Sequence, residues 1–229
     1  SARAILERLV AGSTDVATMA DLAKGRLREK IPELEKALVG RFGEHQRFMV
    51  AQQIVHLDTL DDLIERVSAE IRQRMRPFEE AVERLDTIPG VGRETAETIV
   101  AEIGVDMSRF PTDRHLSSWA GLAPGSNESA GKNKSGRTGK GSKWLRTALV
   151  QAAKAVGRSK GNYLSSQYHR LASRRGKNKA TIAVAHSILV IAYHLLSRQE
   201  DYRDLGALYF DKRNQEKVCR KLVQRLEAL

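Results

Sequence analysis

Hydrophobic residues recur three and four positions apart along most of the chain, and almost no stretch alternates as a strand would. The pattern over residues 2–40 predicts short helices. Gly12 ends the first of them, and Pro32 starts or interrupts a later one. Residues 44–76 contain neither glycine nor proline and predict one long helix. Shorter helices follow, separated by turns rich in glycine and proline. The pattern predicts an all-α chain without a convincing strand.

The predicted long helix carries an apolar strip in which residues alternate three and four apart, as in the seam of a coiled coil. The strip comprises Leu57, Leu60, Ile64, Val67 and Ile71. It lasts about two heptads, so two interpretations remain open. The helix either forms one arm of an intramolecular hairpin or joins two copies of the chain. Our expectation to test is a homo-oligomer formed through this helix.

The predicted elements divide the chain into three parts. Residues 1–76 form a helical and coiled-coil segment, residues 77–206 a second helical domain, and residues 207–229 a C-terminal amphipathic helix. Within the second domain, Ala180–Leu196 is the most apolar stretch. It contains two histidines and a serine and is too short to span a bilayer, so it predicts a buried helix and no membrane partner.

The first motif of the second domain is a tight turn between two helices, Ile88-Pro89-Gly90-Val91-Gly92. It resembles the hairpin of helix-hairpin-helix modules that bind DNA. Glycine lets a phosphate approach the backbone closely, and the next helix presents free N–H groups to it. Arg93 adds a positive charge. Contacts of this kind read no sequence, and the plainer alternative is an ordinary tight turn.

The second motif is a glycine-rich loop, residues 121–142, with six glycines and several cations in and after it. These cations are Lys132, Lys134, Arg137, Lys140, Lys143 and Arg146. Chemistry alone allows any of Ser126, Ser129, Ser135 or Ser142 as a nucleophile. A serine with no base in an adjacent motif attacks poorly, so spacing alone favours a loop that binds phosphate without catalysis. A third cluster, Arg174, Arg175, Lys177 and Lys179, lies at a joint between helices and also suits phosphate contacts.

The charge distribution indicates where an anionic partner binds. The chain carries 39 Lys and Arg against 28 Asp and Glu, a net charge of +11. Residues 129–199 contain 15 of those cations and no acid at all. A local excess of this kind favours nucleic acid as partner, the alternative being a basic surface without one. Cys219 is the single cysteine, which favours a reducing, cytoplasmic compartment and argues against a zinc site.

Several motifs in order resemble one family. They are Ile88–Gly92, Phe110-Pro111, Trp119–Gly125, Ser129–Lys132, Gly136-Arg137, Trp144–Arg146 and Ala183–Val190. Together they are similar to the C-terminal transposase domain of the insertion sequence 110 family and to the Piv-type DNA invertases. The resemblance covers about residues 86–206. It implies a recombinase of mobile DNA.

The resemblance implies more than the residues alone. In the family this domain supplies a serine that attacks the DNA backbone, and the matching position here is Ser129, followed by Ala130 where many members have glycine. The family also has an N-terminal RuvC-like domain with four acidic residues for Mg²⁺, and some members use a structured bridge RNA as guide. Neither that domain nor its Mg²⁺ ligands have a counterpart in this sequence. We therefore expect a fragment that is inactive alone.

Two rival functions remain at this point. One is a non-catalytic helix-hairpin-helix protein that binds DNA or RNA. The other is a coiled-coil scaffold whose basic half adds only solubility. Substitution of Ser129 distinguishes the first rival from a recombinase, and nucleic-acid binding at two salt concentrations distinguishes the second.

Overall fold

A computed structural model of the chain describes residues 1–40, 42–123, 128–129, 132–133 and 138–227. Its contacts divide the chain into two units, Ser1–Arg74 and Met75–Leu229. Both consist of helices, which confirms the all-α fold class. The one departure within the described residues is a pair of two-residue strands in the glycine-rich loop.

The first unit has four helices and a 3-10 segment. The helices are α1 (Ala2–Val10), α2 (Val16–Asp21), α3 (Ile31–Leu38) and α4 (Glu44–Met75, whose last residue already belongs to the second unit), and the 3-10 segment is Gly25–Lys30. The turn after α1 needs Gly12, whose φ is +83°. Asp15 then caps α2 by accepting a hydrogen bond from the Thr18 amide at 3.1 Å. Pro32 lies in the first turn of α3, one of the two positions that the sequence allowed.

The first unit has a small core. Its buried apolar residues are Ile5, Met19, Ala20 and Ala23. Arg3 also joins α1 to α4 by an ion pair with Asp58 and a longer one, 3.7 Å, with Asp61. Arg3 and Asp58 are about half exposed and Asp61 is more so, and exposed ion pairs of this kind add little to stability.

The apolar strip of α4 lies open. Its five side chains, from Leu57 to Ile71, are 40–63% exposed. No helix of the first unit therefore packs along the strip. A row of exposed apolar side chains is a common mark of an interaction surface, and the coiled coil stays a prediction.

The second unit opens with a 3-10 turn and contains seven helices and the short strand pair. These elements are the 3-10 turn Arg76–Phe78, α5 (Glu79–Asp86), α6 (Arg93–Ile103), a 3-10 turn Met107–Arg109, α7 (Asp113–Trp119), β1 (Glu128–Ser129), β2 (Lys132–Asn133), α8 (Lys143–Val156), α9 (Tyr163–Arg175), α10 (Lys177–Arg198) and α11 (Tyr209–Glu227). Residues with good capping geometry start several of them. Thr112, Ser142 and Asn162 each accept an amide hydrogen bond at the start of α7, α8 and α9.

Helix α10 lies at the centre of this unit and packs against α5, α7, α8 and α9. Nine of its residues are buried: Ala180, Thr181, Val184, Ala185, Ile188, Leu189, Ala192, Leu195 and Leu196. Among the described residues, α10 is the one helix long and apolar enough to cross a membrane. Half of that apolar window is buried inside the fold, which is the usual state of a core helix.

Two hydrogen bonds and one close contact orient the helices. The Ser142 hydroxyl, at the start of α8, donates to Glu102 near the end of α6 at 2.7 Å. The other end of α8 meets the turn between α5 and α6, because Gly90 lies against Val156. The Tyr202 amide, just beyond α10, donates to Thr87 of the same turn at 3.1 Å.

The second unit therefore has two ends. We call residues 87–92 the hairpin, and its side of the unit the hairpin end. Helices of these lengths span about 20 Å for α8 and about 30 Å for α10. The starts of both helices thus lie far from the hairpin, at what we call the loop end. Any contact made at one end is separated from the other by the length of a helix.

We predict that α4 associates through its strip. Wild type should sediment as a dimer or larger, and Leu60→Asp with Val67→Asp should give monomers, because a charge in a buried seam costs several kcal/mol. Val55→Asp is the matched control: Val55 is also exposed and lies off the strip. That variant should keep the oligomer. A monomeric wild type would refute the intermolecular seam.

Candidate nucleic-acid interface

The two hairpin glycines have different surroundings. Gly90 has a φ of +83°, and a Cβ built on it would lie 2.5 Å from Cγ2 of Val156 and 2.6 Å from the carbonyl oxygen of Ala152. Helix packing alone therefore requires glycine at this position. A side chain at Gly90 is therefore expected to disturb folding, because α8 already occupies the space.

Gly92 is open. Its φ is −101°, which any residue can adopt, and nothing lies within 4 Å of a Cβ built on it. Neither backbone strain nor packing against the described residues requires glycine there. It is also the N-cap of α6, where a side chain would stand in front of the free amides. Close approach of an outside group is consistent with this environment.

Arg93 is held by carboxylates. Its two terminal nitrogens donate to both oxygens of Glu79 at 2.6 and 2.8 Å, and its Nε donates to Glu97 at 2.9 Å. The hydrogen bonds from Arg93 lower the pKa of Glu79. The hydrogen bonds to Glu79, and after them the one to Glu97, raise the pKa of Arg93. Arg93 thus joins the starts of α5 and α6. The sequence suggested that Arg93 binds a phosphate. To do so, Arg93 would have to break its hydrogen bonds with Glu79 and Glu97.

The glycine-rich loop has a narrow neck. Gly121, at a φ of +66°, begins it, and a Cβ there would lie 2.7 Å from the Gly139 carbonyl oxygen and 2.7 Å from the Gly141 nitrogen. A Cβ on Gly141 would in turn collide with the backbone of Ala120. Glycine at both ends lets the two strands of the neck touch. The loop therefore leaves and re-enters the unit at one place.

Glu102 fixes the outgoing side of the neck. Ser142 donates its hydroxyl hydrogen to Glu102 and accepts from the Leu145 amide at 3.2 Å, which caps α8. Residues 129–199 contain no acid, so the carboxylate at the base of this basic loop comes from α6. Sequence reasoning missed Glu102, since no local motif marks it. The double role of Ser142 accounts for that serine without any nucleophilic function.

Ser129 lies in the short ladder inside the loop. β1 and β2 are antiparallel, with Ser129 opposite Lys132 and Glu128 opposite Asn133. The side chains of these four residues lie outside the described part of the structure, as do Ser126, Lys134, Ser135 and Arg137 altogether. The register places Ser129 and Lys132 side by side along the backbone, and their roles stay predictions.

The cations after the loop divide into two kinds. Lys140 and Lys143 are exposed. Arg146 is half-buried and donates to the Thr138 hydroxyl at 3.0 Å and to the Gly139 carbonyl at 3.5 Å. Arg146 therefore holds the neck, while the two lysines face solvent beside it.

The third cluster also faces solvent at the loop end. Arg174 and Arg175 end α9, Gly176 turns the chain with a φ of +83°, and Lys177 and Lys179 begin α10. All four cations are exposed, and none takes part in an ion pair found among the described residues. The third cluster and the neck are therefore each separated from the hairpin by about the length of a helix.

The described residues contain no group of three His, Cys, Asp or Glu side chains that could hold a metal. His186 of α10 is half-buried, as the sequence suggested. Burial lowers its pKa, and the charge of Asp113 acts in the opposite direction.

Comparison with known proteins finds a family model that matches part of this unit. Residues 82–169, which include the hairpin and the whole loop, match the model of the Transposase IS116/IS110/IS902 family. This segment is therefore similar to the transposase domain of that family. The third basic cluster lies just beyond the matched residues.

Individual relatives agree with this assignment. The chain is 38% identical over 128 residues to the transposase for insertion sequence element IS1111A of Coxiella burnetii, covering 54% of this chain and 35% of that protein. It is 35% identical over 123 residues to the pilin gene-inverting protein of Moraxella bovis, covering 52% and 37%. The transposase for element IS1328 of Yersinia enterocolitica is 30% identical over 146 residues, covering 60% and 42%. The matches thus span well under half of these relatives' own lengths.

We predict opposite outcomes for the two hairpin glycines. Gly90→Val should lower the melting temperature by several degrees, because it combines positive-φ strain with a clash against α8. Gly92→Val should leave the fold nearly as stable and weaken DNA binding several-fold, because it blocks the approach of a phosphate. Gly40→Val, at another open glycine, is the control and should change neither. Unchanged affinity in a folded Gly92→Val variant would remove the hairpin from the interface.

We predict that the second unit binds DNA and that this binding depends steeply on salt. Reversal of Arg174, Arg175, Lys177 and Lys179 to Glu should weaken binding to all sequences alike and flatten the log–log salt slope by about 0.9 for each phosphate that is no longer neutralised. Lys24, Arg26, Arg28 and Lys30 are also four exposed cations close together in the sequence, and they lie in the first unit. Their reversal to Glu makes the same change in charge and should have a smaller effect. Equal reductions in affinity in a filter-binding assay would contradict a role specific to the third cluster.

Proposed function

We propose that the chain is part of a DNA transposase or recombinase in which Ser129 is the nucleophile. The observation that carries the proposal is the match of residues 82–169 to the transposase family, which covers Ser129 and the loop around it. Relatives named as transposases and as a gene-inverting protein support strand exchange on DNA as the reaction. The closed neck supports it too, because a nucleophile needs a fixed place on the protein.

In the proposed reaction, Oγ of Ser129 bonds to the phosphorus of one DNA phosphodiester as a bond from that phosphorus to a deoxyribose oxygen breaks. The product is a phosphoserine link that a second DNA end can resolve by the reverse exchange. The seryl proton leaves and the deoxyribose oxygen gains one, so no oxidant or other co-reactant is consumed. Because the phosphoserine link is itself a phosphodiester, the second DNA strand can be joined without an added source of energy.

Cations of the loop stabilise the charge that develops on the phosphate. In this proposal Lys132, Arg137 and Lys140 neutralise the non-bridging oxygens, where fixed positive charges have their largest effect. Arg146 contributes indirectly. Its hydrogen bonds to Thr138 and Gly139 fix the end of the loop. Lys134 and Lys143 extend the contact along the strand.

Mg²⁺ and guide RNA belong to the wider proposal. The described residues offer no acidic cluster for a metal, so the Mg²⁺ that the resemblance implies would be held by carboxylates of another segment, where it would activate the nucleophile. A structured guide RNA, as some members use, would present phosphates to the same cations. This chain alone is then expected to bind DNA without cleaving it.

The test measures strand exchange by Ser129 variants of a full-length protein that contains this chain, with Mg²⁺ and a cognate DNA site. Ser129→Ala should abolish strand exchange and leave DNA affinity almost unchanged, because one hydroxyl adds little beside many phosphate contacts. Ser126→Ala and Ser135→Ala are the matched controls and should be mild. The covalent adduct should yield a DNA-linked peptide that contains Ser129.

Two results would contradict the assignment. One is an adduct linked through a different residue, and the other is wild-type exchange by the Ser129→Ala protein. Binding without any Ser129-dependent chemistry would instead favour a non-catalytic helix-hairpin-helix protein.

A further inference from the structure

The turn between α8 and α9, residues 157–162, presents two cations beside the hairpin. Arg158 and Lys160 are exposed, and neither joins an ion pair found among the described residues. Val156, two positions before Arg158, is the residue against which Gly90 packs. The α8–α9 turn and the hairpin are therefore neighbours at the hairpin end.

Hydrogen bonds fix the backbone of this turn. Ser159 donates its hydroxyl hydrogen to the Val156 carbonyl at 2.8 Å and accepts from the Asn162 amide group at 2.9 Å. Ser165 closes the network, since its hydroxyl donates to the Ser159 carbonyl at 2.7 Å and its amide to Asn162 at 2.8 Å. The small polar side chains are thus used inside the turn. Its two cations stand on a fixed backbone.

A cavity of about 420 Å³ opens next to this turn, between α9 and the start of α11. Lys160, Ser166, His169, Arg170 and Asp211 are among the residues that line it. Lys160 and Arg170 outnumber the carboxylate of Asp211, so a small anion meets a net positive charge. The cavity has room for a phosphate with its sugar.

Arg170 is oriented by an aromatic ring. Its guanidinium carbon lies 5.5 Å from the centre of the Phe210 ring. A cation–π contact of this kind does not use the N–H groups of the guanidinium as hydrogen-bond donors to an acceptor oxygen, so they can still donate to phosphate oxygens. The ring also reduces the rotamer freedom that binding would otherwise have to restrict.

We propose that this cavity binds a backbone phosphate of duplex DNA, held by Lys160 and Arg170, beside the contact made by the hairpin. The proposal deepens the proposed function and rests on its DNA-binding part alone. The hairpin has an open glycine, but its own cation, Arg93, is engaged by Glu79 and Glu97. The α8–α9 turn supplies the missing positive charge from its neighbouring position.

The experiment measures binding of a duplex of about 30 base pairs over a series of salt concentrations. Lys160→Gln with Arg170→Gln should weaken binding several-fold and flatten the log–log salt slope by about one for each phosphate that the variant no longer binds. Arg109→Gln with Arg114→Gln is the matched control: it removes the same charge from exposed positions outside the cavity. Melting curves of both variants check that the fold is retained. A second variant, Arg158→Gln with Lys160→Gln, removes no side-chain hydrogen bond found in the structure. It replaces the first variant in the binding assay if Arg170→Gln unfolds the protein.

The outcomes separate this inference from the function on which it rests. If wild type binds DNA and the affinity of the cavity variant falls no further than that of the control, the cavity is not a DNA site and the proposed function stands. If wild type does not bind DNA at all, the DNA-binding part of the proposed function fails as well. A reduction confined to duplex RNA, tested in parallel, would overturn the assignment to DNA.

Discussion

The burial of α10 against α5, α7, α8 and α9 is the interaction on which the second unit depends. A helix that is apolar on nearly every side can be stable in water only when other helices surround it. The Tyr193 hydroxyl, which donates to the Phe110 carbonyl at 3.1 Å, adds a polar contact from the same helix. Because α10 is long and central, the elements packed at its start and at its end are held far apart. This separation places the proposed contacts at the hairpin far from the start of α10.

The helices were predictable because their signals are local. Hydrophobic spacing indicated their order, and Gly12 and Pro32 marked ends that the structure places at or next to the predicted positions. The coarse family assignment was predictable for a related reason, since it depends on ordered motifs along the chain. The two-residue ladder of β1 and β2 has no such signal, and the sequence did not reveal it.

The environment of the site residues was less predictable, because it depends on contacts between distant parts of the chain. A glycine in a turn can serve either the close approach of a phosphate or the close packing of another helix. For Gly90, the position of Val156 shows that helix packing requires the glycine. Arg93 looked free in the sequence, and its pair with Glu79 forms only when α5 and α6 fold together. Ser129 was chosen through family resemblance, since spacing alone left four serines open. Its chemistry cannot be read from the backbone ladder.

The neck formed by Gly121 and Gly141 has a consequence for how such domains diversify. Because the two ends of the loop touch, its length is uncoupled from the packing of α7 and α8. Closing a longer loop costs only about 0.6 kcal/mol for each doubling of its length. Insertions and deletions between the two glycines can therefore accumulate at little cost to the fold. Related chains can therefore differ in the length and sequence of this loop while they keep the same helical frame.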